Sequence, residues 1–358
     1  MNQVEASAPG KLYIAGEYAV VEPGHPAILV AVDQFLTVKV SPSDTVGTIH
    51  SSHYSSIPLQ WTRENGKLMI DERENPFHYL LAAIDYTERY AKECGQELSI
   101  FHLVVDSELD SANGLKYGLG SSAAVTVATV RALLKYYELA ETDELVFKLS
   151  VLAHLSVKSN GSFGDIAAAT YTGWLAYSSF NRKWVKDRLN THSIKSIVEL
   201  DWPAFMVEKL TPPSELKLLI GWTGSPASTT NLVDQVKANR EAKKQNYQDF
   251  LNRSKVCVEN MIQAFRKGSL ADIQTEIRKN RQILKEMSEN TGVSIETETL
   301  EQLCEDAEAF HGAAKTSGAG GGDCGIALFD RSSSLNDLVS RWQTHDITLL
   351  PLKVYARS

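Results

Sequence analysis

One glycine- and serine-rich segment has the composition of a phosphate-binding loop. Its residues, Gly118-Leu119-Gly120-Ser121-Ser122-Ala123-Ala124, come directly before an apolar pattern that predicts an amphipathic helix over residues 121–139. Glycine turns expose backbone N–H groups, helix starts attract anions, and serine hydroxyls bind phosphate oxygens or Mg²⁺. A plain serine-capped helix would explain one serine but not the whole combination. The segment therefore predicts phosphate binding, with Lys116 just upstream as an added positive charge.

A second candidate is the lysine of Pro9-Gly10-Lys11, near the start of the chain. A glycine before a lysine on a short strand lets the backbone approach a ligand while the ammonium group projects onto it. A Pro-Gly turn followed by a surface lysine is nevertheless a common structural feature. Taken alone, this segment favours the structural interpretation.

A third glycine-rich segment runs from Ser317 to Gly325 and contains Gly318-Ala319-Gly320-Gly321-Gly322-Asp323-Cys324. Three of its glycines match G-x-G-x-x-G, but that dinucleotide fingerprint must open a helix, whereas here an apolar run typical of a strand follows. A structural turn would hardly need so many glycines, because each loses backbone entropy on ordering. We expect this segment to form a wall that closes over phosphates or substrate.

A carboxylate stands on a fourth glycine-flanked segment, Asn160-Gly161-Ser162-Phe163-Gly164-Asp165, before an alanine-rich run that predicts a helix. In isolation, capping of that helix is the simpler role for Asp165. The carboxylate could equally accept a proton from a substrate or pair with Lys11. The sequence does not decide between these alternatives.

Several classes of protein are excluded or disfavoured by what the chain lacks. No G-x-x-x-x-G-K-[ST] occurs, so this is not a P-loop kinase, and without H-R-D or D-F-G it is not a protein kinase. The four cysteines are scattered, which supports neither a zinc site nor a disulfide framework. The net charge of −8 disfavours nucleic acid or an anionic membrane as a partner. No stretch approaches the ~20 apolar residues of a membrane span and no signal peptide is visible, so we expect a cytoplasmic protein.

The elements predicted around these motifs alternate in type along the chain. Short strands are expected at 11–15, 27–32, 36–40 and 98–105, a helix at 76–92, and a buried strand at 216–222. Long charged helices follow at 229–267 with a break, 270–287 and 298–310, and strands at 326–329 and 348–354 close the chain. This order predicts two α+β domains that divide near residues 180–215.

The three glycine-rich motifs, in this order, resemble those of the GHMP kinases, a family named for galactokinase, homoserine kinase, mevalonate kinase and phosphomevalonate kinase. The resemblance extends from Ala8 to Leu328. It implies an α+β GHMP kinase fold, with an N-terminal ribosomal-protein-like β/α domain at 1–200 and a C-terminal ferredoxin-like α+β domain at 201–358. ATP and a small-molecule acceptor would bind between them, with no obligate protein partner.

Departures from the mevalonate kinase pattern resemble the bacterial phosphomevalonate kinase branch of the family. Mevalonate kinases typically have histidine where this chain has Tyr18, a Mg²⁺-binding glutamate where it has His154, and glycine where it has Asp323. The branch also resembles this chain in Lys116 and in the GSxGD pattern that contains Ser162 and ends at Asp165. The acceptor implied is 5-phosphomevalonate. Mevalonate kinase, and a catalytically silent nucleotide-binding relative, remain the alternatives.

The resemblance also implies roles for individual residues. Lys11 would bridge the transferred phosphoryl group and the acceptor phosphate, Lys116 would bind phosphates nearby, and Asp165 would orient Lys11 or the substrate. Ser162 would hold the acceptor phosphate, and Ser122 would bind Mg²⁺ together with nucleotide phosphates and water, with His154 only packing. The ATP phosphates would lie on Gly118, Leu119, Gly120, Ser121, Ser122 and Ala123, and the acceptor on Tyr18, Ser317, Gly318, Ala319, Gly320 and Gly321.

Overall fold

The computed structural model describes residues 2–51, 55–64, 67–70, 77–109, 117–157, 159–225, 232, 235 and 244–357. Within these residues the strands form two sheets. The first has eight strands in the order β5-β4-β3-β6-β2-β7-β8, with β1 paired to β2. Its strands are β1 Val4–Ala15, β2 Pro26–Ser43, β3 Gly47–Ser51, β4 Ser55–Glu64, β5 Lys67–Ile70, β6 Ile100–Ser107, β7 Trp174–Ser178 and β8 Met206–Leu210.

The strand β2 is longer than the sequence pattern predicts. The two short strands expected at 27–32 and 36–40 form one continuous strand, which changes neighbours along its length. Its first half pairs with β7 and its second half with β6, while β1 runs antiparallel to it with a register shift between Pro9 and Gly10. Residues 27–32 are completely buried, as expected of a strand that is covered on both faces. This pairing fixes the position of Lys11 along the sheet, directly opposite Ala31 on β2.

Helices cover this sheet, and one of them carries the predicted phosphate loop at its start. The helix α2 packs on both β1 and β2 and buries most of its length through small and branched apolar side chains. It ends at Tyr136 rather than 139, because Glu138 adopts a positive φ of 53°. The helices of this part are α1 His78–Glu93, α2 Ser121–Tyr136, α3 Asp143–Ser156, α4 Gly164–Tyr171, α5 Arg182–Leu189 and α6 Ile194–Glu199, with a 3₁₀ turn at Ala19–Val21.

The second sheet is antiparallel and has the order β10-β11-β9-β12. Its strands are β9 Leu216–Trp222, β10 Ala313–Thr316, β11 Cys324–Asp330 and β12 Thr348–Leu350, and its helices are α7 Lys244–Lys267, α8 Leu270–Thr291, α9 Glu298–Ala309 and α10 Asn336–Thr344. The sequence predicts β9 with the same bounds and α9 to within one residue. Most of the first half of the helix expected from residue 229 lies outside the described residues.

The chain returns to the first sheet at its end. After β12, Val354 bridges Val32, and Tyr355 donates its N–H to the carbonyl oxygen of Ala31. The strand β8 also belongs to the first sheet, because Met206–Leu210 pairs with β7. The domain boundary at 200/201 stays a prediction, and sheet membership groups residues up to Leu210 with the N-terminal part. No helix within the described residues is long and apolar enough to cross a membrane.

Candidate active site

Lys11 lies directly against the predicted phosphate loop. Its Nζ donates to the carbonyl oxygen of Gly118 at 2.9 Å, and its backbone N–H donates to that of Leu119 at 2.9 Å. A Cβ placed on Gly120 would lie 3.1 Å from Lys11 Cε. The first two motifs, 107 residues apart, therefore form one surface.

Gly10 has a different role from the one expected. The sequence assigned this glycine to close approach of a ligand, but a Cβ here would meet protein, 2.9 Å from Leu109 Cδ2 and 3.1 Å from Leu119 Cβ. The glycine therefore lets β1 pass close to the phosphate loop. That contact is what brings the ammonium group of Lys11 to the loop.

The start of α2 is free to bind an anion. Its N-cap is Gly120, in the left-handed region at φ 82°, and no side chain caps the helix. The alternative of a serine-capped helix is therefore wrong. Within the described residues the hydroxyl groups of Ser121 and Ser122 form no hydrogen bond, and both residues are half-buried. The first N–H groups of a helix also lack partners within it, so hydroxyl and backbone donors converge here.

Asp165 lies close to Gly120, as Lys11 does. A Cβ on Gly120 would lie 3.6 Å from Asp165 Cβ. Asp165 is not the N-cap of α4: that residue is Phe163, which adopts φ 62°, while Asp165 sits in the first turn and accepts the N–H of Ile166. Asp165 is therefore not the N-cap, although it accepts one N–H of the first turn, and the carboxylate lies next to the phosphate loop.

Ser162 is held by two tyrosines. Its hydroxyl lies 2.6 Å from Tyr13 Oη and accepts the N–H of Gly164, and its carbonyl oxygen accepts a hydrogen bond from Tyr177 Oη. Gly164 must lack a side chain, since a Cβ there would lie 2.5 Å from Tyr13 Oη. Burial raises the pKa of Tyr13, so its phenol is neutral and remains a hydrogen-bond donor.

Residues near Lys11 also form hydrogen bonds with three consecutive residues of the third motif, 317–319. Ser317 exchanges hydrogen bonds with the backbone of Tyr13, donating to its carbonyl oxygen and accepting its N–H. Gly318 donates its N–H to Glu17 Oε1 at 3.4 Å, and Tyr18 Oη donates to the carbonyl oxygen of Ala319 at 2.5 Å. The predicted acceptor-binding residues at 317–319 therefore lie beside the strand of Lys11. Tyr18 itself is only 6% exposed, so its direct contact with an acceptor stays a prediction.

A buried ion pair, which the sequence analysis missed, supports this contact. Lys315 Nζ bonds to Glu17 Oε1, and both side chains are almost fully inaccessible to solvent. Lys315 also donates to the carbonyl oxygen of Thr316. Neither residue has a distinctive sequence signal, since Glu17 and Lys315 stand at the edges of the two motifs. Removing one partner from such a pair leaves a buried unpaired charge, which is costly.

The rest of the third motif packs against protein. A Cβ on Gly320 would overlap the carbonyl oxygen of Ile295, to which Gly321 donates its N–H. A Cβ placed on Gly118 would lie only 2.5 Å from Asp323 Cγ. The third motif therefore contacts the phosphate loop. The motif is followed by the strand β11 and not by a helix, as the sequence analysis predicts, so it is not a dinucleotide fingerprint. Burial raises the pKa of Cys324 to about 12, consistent with an unreactive core thiol.

The residues present fit a Mg²⁺ ion that is held mainly by nucleotide phosphates. Ser122 offers a hydroxyl oxygen at the start of α2, and Asp165 lies close to Gly120. His154 is committed elsewhere: it is buried, its Nε2 lies 2.9 Å from Thr126 Oγ1 and 3.3 Å from the carbonyl oxygen of Ser122, and its ring stacks on Tyr79. Within the described residues no group of three His, Cys, Asp or Glu side chains could hold a metal ion. A hydroxyl, phosphates and water form an ordinary ligand set for this ion.

Two further basic residues, Lys116 and Arg182, belong to segments next to the site. Lys116, predicted to bind phosphates, lies outside the described residues. Arg182, at the start of α5, was not singled out from the sequence, yet it contacts the Ser162 loop through the carbonyl oxygens of Asn160 and Gly161. Nothing in the local sequence around Arg182 marks it, because its place depends on how α5 returns to that loop.

Comparison with known proteins agrees with this geometry. Residues 78–173 match the model of the GHMP kinases N terminal domain, and residues 261–347 match the GHMP kinases C terminal model. The chain is 38% identical to the phosphomevalonate kinase of Streptomyces sp. (strain CL190), over 96% of this chain and 95% of that one.

Solved structures agree as well. The Lin0012 protein of Listeria innocua superposes with a TM-score of 0.92 at 40% identity, over 99% of this chain and 98% of that one. The Streptococcus pneumoniae phosphomevalonate kinase in complex with phosphomevalonate and AMPPNP superposes with a TM-score of 0.86 at 32% identity, over 99% of this chain and 100% of that one. The two-part α+β fold expected from the sequence is confirmed.

Proposed function

Because the chain belongs to the GHMP kinase family, we propose that it transfers the γ-phosphoryl group of ATP to 5-phosphomevalonate. The products are ADP and 5-diphosphomevalonate, an intermediate of the mevalonate route to isoprenoids. Relatives at 38% and 32% identity that span almost the whole chain are phosphomevalonate kinases, which supports this acceptor. We also infer a cytoplasmic location, where ATP and the acceptor are available.

The observation that carries the proposal is the convergence on Gly120. Lys11 Nζ bonds to the carbonyl oxygen of Gly118, and a Cβ on Gly120 would lie within 4 Å of both the Lys11 and the Asp165 side chain. A lysine, a carboxylate and the open start of a helix thus share one small volume. This arrangement suits phosphoryl transfer, in which positioning and charge neutralisation supply most of the catalysis.

The acceptor is already an anion, which shapes the roles of these residues. Its phosphate oxygen needs no strong base, but two anionic groups must be brought together against their repulsion. Lys11 would neutralise charge on the transferred group and the acceptor phosphate, and Asp165 would orient Lys11 or the acceptor hydroxyl. The start of α2 would bind the ATP phosphates through N–H groups and the Ser121 and Ser122 hydroxyls.

Substrate positioning would come from the other two segments. Ser162, oriented by Tyr13, would hold the acceptor phosphate, and the wall at Ser317, Gly318 and Ala319 would close the site. Mg²⁺, held by Ser122 and the nucleotide, would supply further neutralisation of phosphate charge. These roles require residues 317–319 to stay next to β1 and the segment that follows it. Hydrogen bonds with Tyr13, Glu17 and Tyr18 hold them there.

The acceptor is tested by measuring ADP release with phosphomevalonate and with mevalonate side by side. We expect turnover with phosphomevalonate and a kcat/KM at least about 100-fold lower with mevalonate, because Ser162 and Lys11 would lose the phosphate that they bind. A preference for mevalonate would make the chain a mevalonate kinase. Nucleotide binding without ADP release from either acceptor would identify a silent relative and overturn the proposal.

A further inference from the structure

Each carbonyl oxygen of residues 117–120, where the chain enters the phosphate loop, accepts a hydrogen bond from the protein. Lys11 supplies the donors at residues 118 and 119, through its Nζ and its backbone N–H. The first turn of α2 supplies the donors at residue 120. The donor at Tyr117 comes from the second sheet and is the Sγ of Cys324, at 3.2 Å.

The N–H groups of the phosphate loop are arranged in the opposite way. Within the described part of the chain, those of residues 118–122 form no hydrogen bond. A phosphate is attracted by N–H groups and repelled by carbonyl oxygens, so it requires the carbonyl oxygens to be turned away. The direction in which these peptide groups face therefore decides how well the loop binds a nucleotide.

Tyr117 is held by two side chains of the second sheet. Its ring packs edge-on against that of Trp222, with the ring centroids 5.1 Å apart. Trp222 on β9 lies directly opposite Cys324 on β11, and residues opposite one another point to the same face of a sheet. One face of the second sheet therefore contacts both the ring and the carbonyl oxygen of Tyr117.

The hydrogen bond from Cys324 requires a protonated thiol. Burial, and to a smaller extent the carboxylate of Asp323, raise the pKa of Cys324 to about 12, so the thiol keeps its proton at neutral pH and can donate it. Asp323 itself contacts Gly118, the next residue of the loop. Three side chains around the ends of β9 and β11 therefore contact residues 117 and 118.

We propose that Trp222 and Cys324 are positioning residues for the nucleotide: by holding Tyr117, they keep the N–H groups of the phosphate loop directed at the ATP phosphates. The inference rests on the proposed function, in which this loop binds ATP. A glycine-rich loop loses much backbone entropy on ordering, so a loop that is already held binds its ligand more tightly. The second sheet thereby sets the affinity of a site that is carried by α2.

The test is a double-mutant cycle on the aromatic pair. AMPPNP with Mg²⁺ is titrated calorimetrically, without acceptor, into the wild type, Trp222→Leu, Tyr117→Leu and the double variant. Each single exchange removes the same contact, so we expect each to weaken AMPPNP binding by about five- to tenfold, and the double variant by no more than either. Affinity for phosphomevalonate, measured separately, should change by less than about twofold.

Three outcomes would overturn the proposal. The first is an unchanged affinity of Trp222→Leu for AMPPNP. The second is an equal weakening of AMPPNP and phosphomevalonate, which would show that Trp222 only supports the fold. The third is a double variant whose loss is the product of the two single losses, because the two rings would then act independently of each other.

Control variants separate the aromatic contact from general damage. Trp222→Phe keeps a ring and removes an indole N–H that has no hydrogen-bond partner among the described residues, so it should restore most of the AMPPNP affinity. Trp184→Leu removes a half-buried tryptophan of α5 and should leave that affinity unchanged. A phenylalanine variant as weak as Trp222→Leu, or a loss at Trp184→Leu, would contradict the proposal.

If Trp222→Leu does not fold, Cys324 provides the test. Cys324→Ala removes the donor to Tyr117 and should weaken AMPPNP binding by about two- to fivefold, whereas Cys324→Ser keeps a donor and should bind more tightly than the alanine variant. Wild-type affinity in Cys324→Ala would contradict the proposal. Failure of the proposed function would appear separately, as a wild type that binds AMPPNP but does not turn over phosphomevalonate.

Discussion

At the residue scale, the site depends on a lysine whose position is set by backbone contacts on both sides. Lys11 is held by its own N–H on Leu119 and by its Nζ on Gly118, so little rotamer freedom remains to be lost when substrate binds. Asp165 is fixed less tightly, by the N–H of its neighbour Ile166. The two side chains are therefore expected to differ in what their loss costs.

Replacing Lys11 by methionine should lower kcat by about 10³-fold or more, because one charge neutralises both the transferred and the accepting group. The measurement is ADP release at saturating substrate, with circular dichroism to verify the fold. Lys39→Met serves as a matched control, since Lys39 is an exposed lysine on β2 whose one ion-pair partner among the described residues is Glu5. Turnover of Lys11→Met within about tenfold of wild type would remove Lys11 from the catalytic role.

Asp165→Asn should cost less than Lys11→Met, by about 10- to 100-fold in kcat, because a phosphate acceptor needs no strong general base. The amide keeps the shape of the side chain and loses only its charge. ADP release is measured for both variants in parallel under the same conditions. A loss as large as that of Lys11→Met would instead identify Asp165 as a true general base.

At the element scale, the important contact is between the glycine loop after β10 and the segment that follows β1. Three consecutive residues of the loop bond to Tyr13, Glu17 and Tyr18, and the buried Lys315–Glu17 pair lies beneath them. Tyr18 adopts φ 61° and ψ −50°, a costly conformation for a residue with a side chain. Its cost is offset by the packing of the Tyr18 ring among helices α7 and α8.

Gly320→Ala tests how tightly this loop is packed. We expect its free energy of unfolding to fall by about 2 kcal/mol more than that of Gly24→Ala, because the new Cβ would overlap the carbonyl oxygen of Ile295. Gly24 has a similar positive φ but open space around it, so backbone strain of about 1–2 kcal/mol and the entropy change of the unfolded chain are common to both. Urea denaturation measures the difference, and equal losses would contradict the packing argument.

At the scale of the whole molecule, the end of the chain ties the second sheet back to the first. Tyr355 donates its N–H to the carbonyl oxygen of Ala31, accepts the N–H of Gly173 and packs edge-on against Phe35. Arg357 pairs with Asp143. Gly173 follows the helix that carries Asp165. The tail therefore supports the framework of the site from outside.

Deletion of residues 355–358 should lower the free energy of unfolding by about 2–4 kcal/mol. It removes the two backbone hydrogen bonds and the aromatic contact of Tyr355, and also the hydrogen bond of the Arg357 N–H to Thr172 Oγ1 and the Arg357 ion pairs. Arg357→Gln, which removes only the solvent-accessible ion pairs with Asp143 and Glu141, should cost less than about 1 kcal/mol. Thermal and urea denaturation of both variants provide the comparison. A deletion no more harmful than Arg357→Gln would show that the tail is not a structural tie.

Local patterns were enough to predict many elements and all three glycine-rich motifs. The apolar run of β9 and the periodic spacing of α2 and α9 are properties of neighbouring residues, so they are legible without tertiary structure. Errors arose where long-range pairing overrides local signals. Residues 33–35 read as a break between strands, yet β2 continues through them, and the register shift against β1 lies at Asp33 and Gln34.

By itself, the sequence determined which reactive and binding groups are present: a lysine, a helix start with two serines, a carboxylate and a glycine-rich segment. It also determined that these motifs follow one another in the order typical of the GHMP kinases. Only the tertiary structure decided which of these meet and what supports them. Strand register brings Lys11 to a loop 107 residues away and Tyr13 to Ser317, 304 residues away. The Glu17–Lys315 pair and the contact of Arg182 with the Ser162 loop became visible only there, because burial and charge pairing are properties of the folded chain rather than of any short segment.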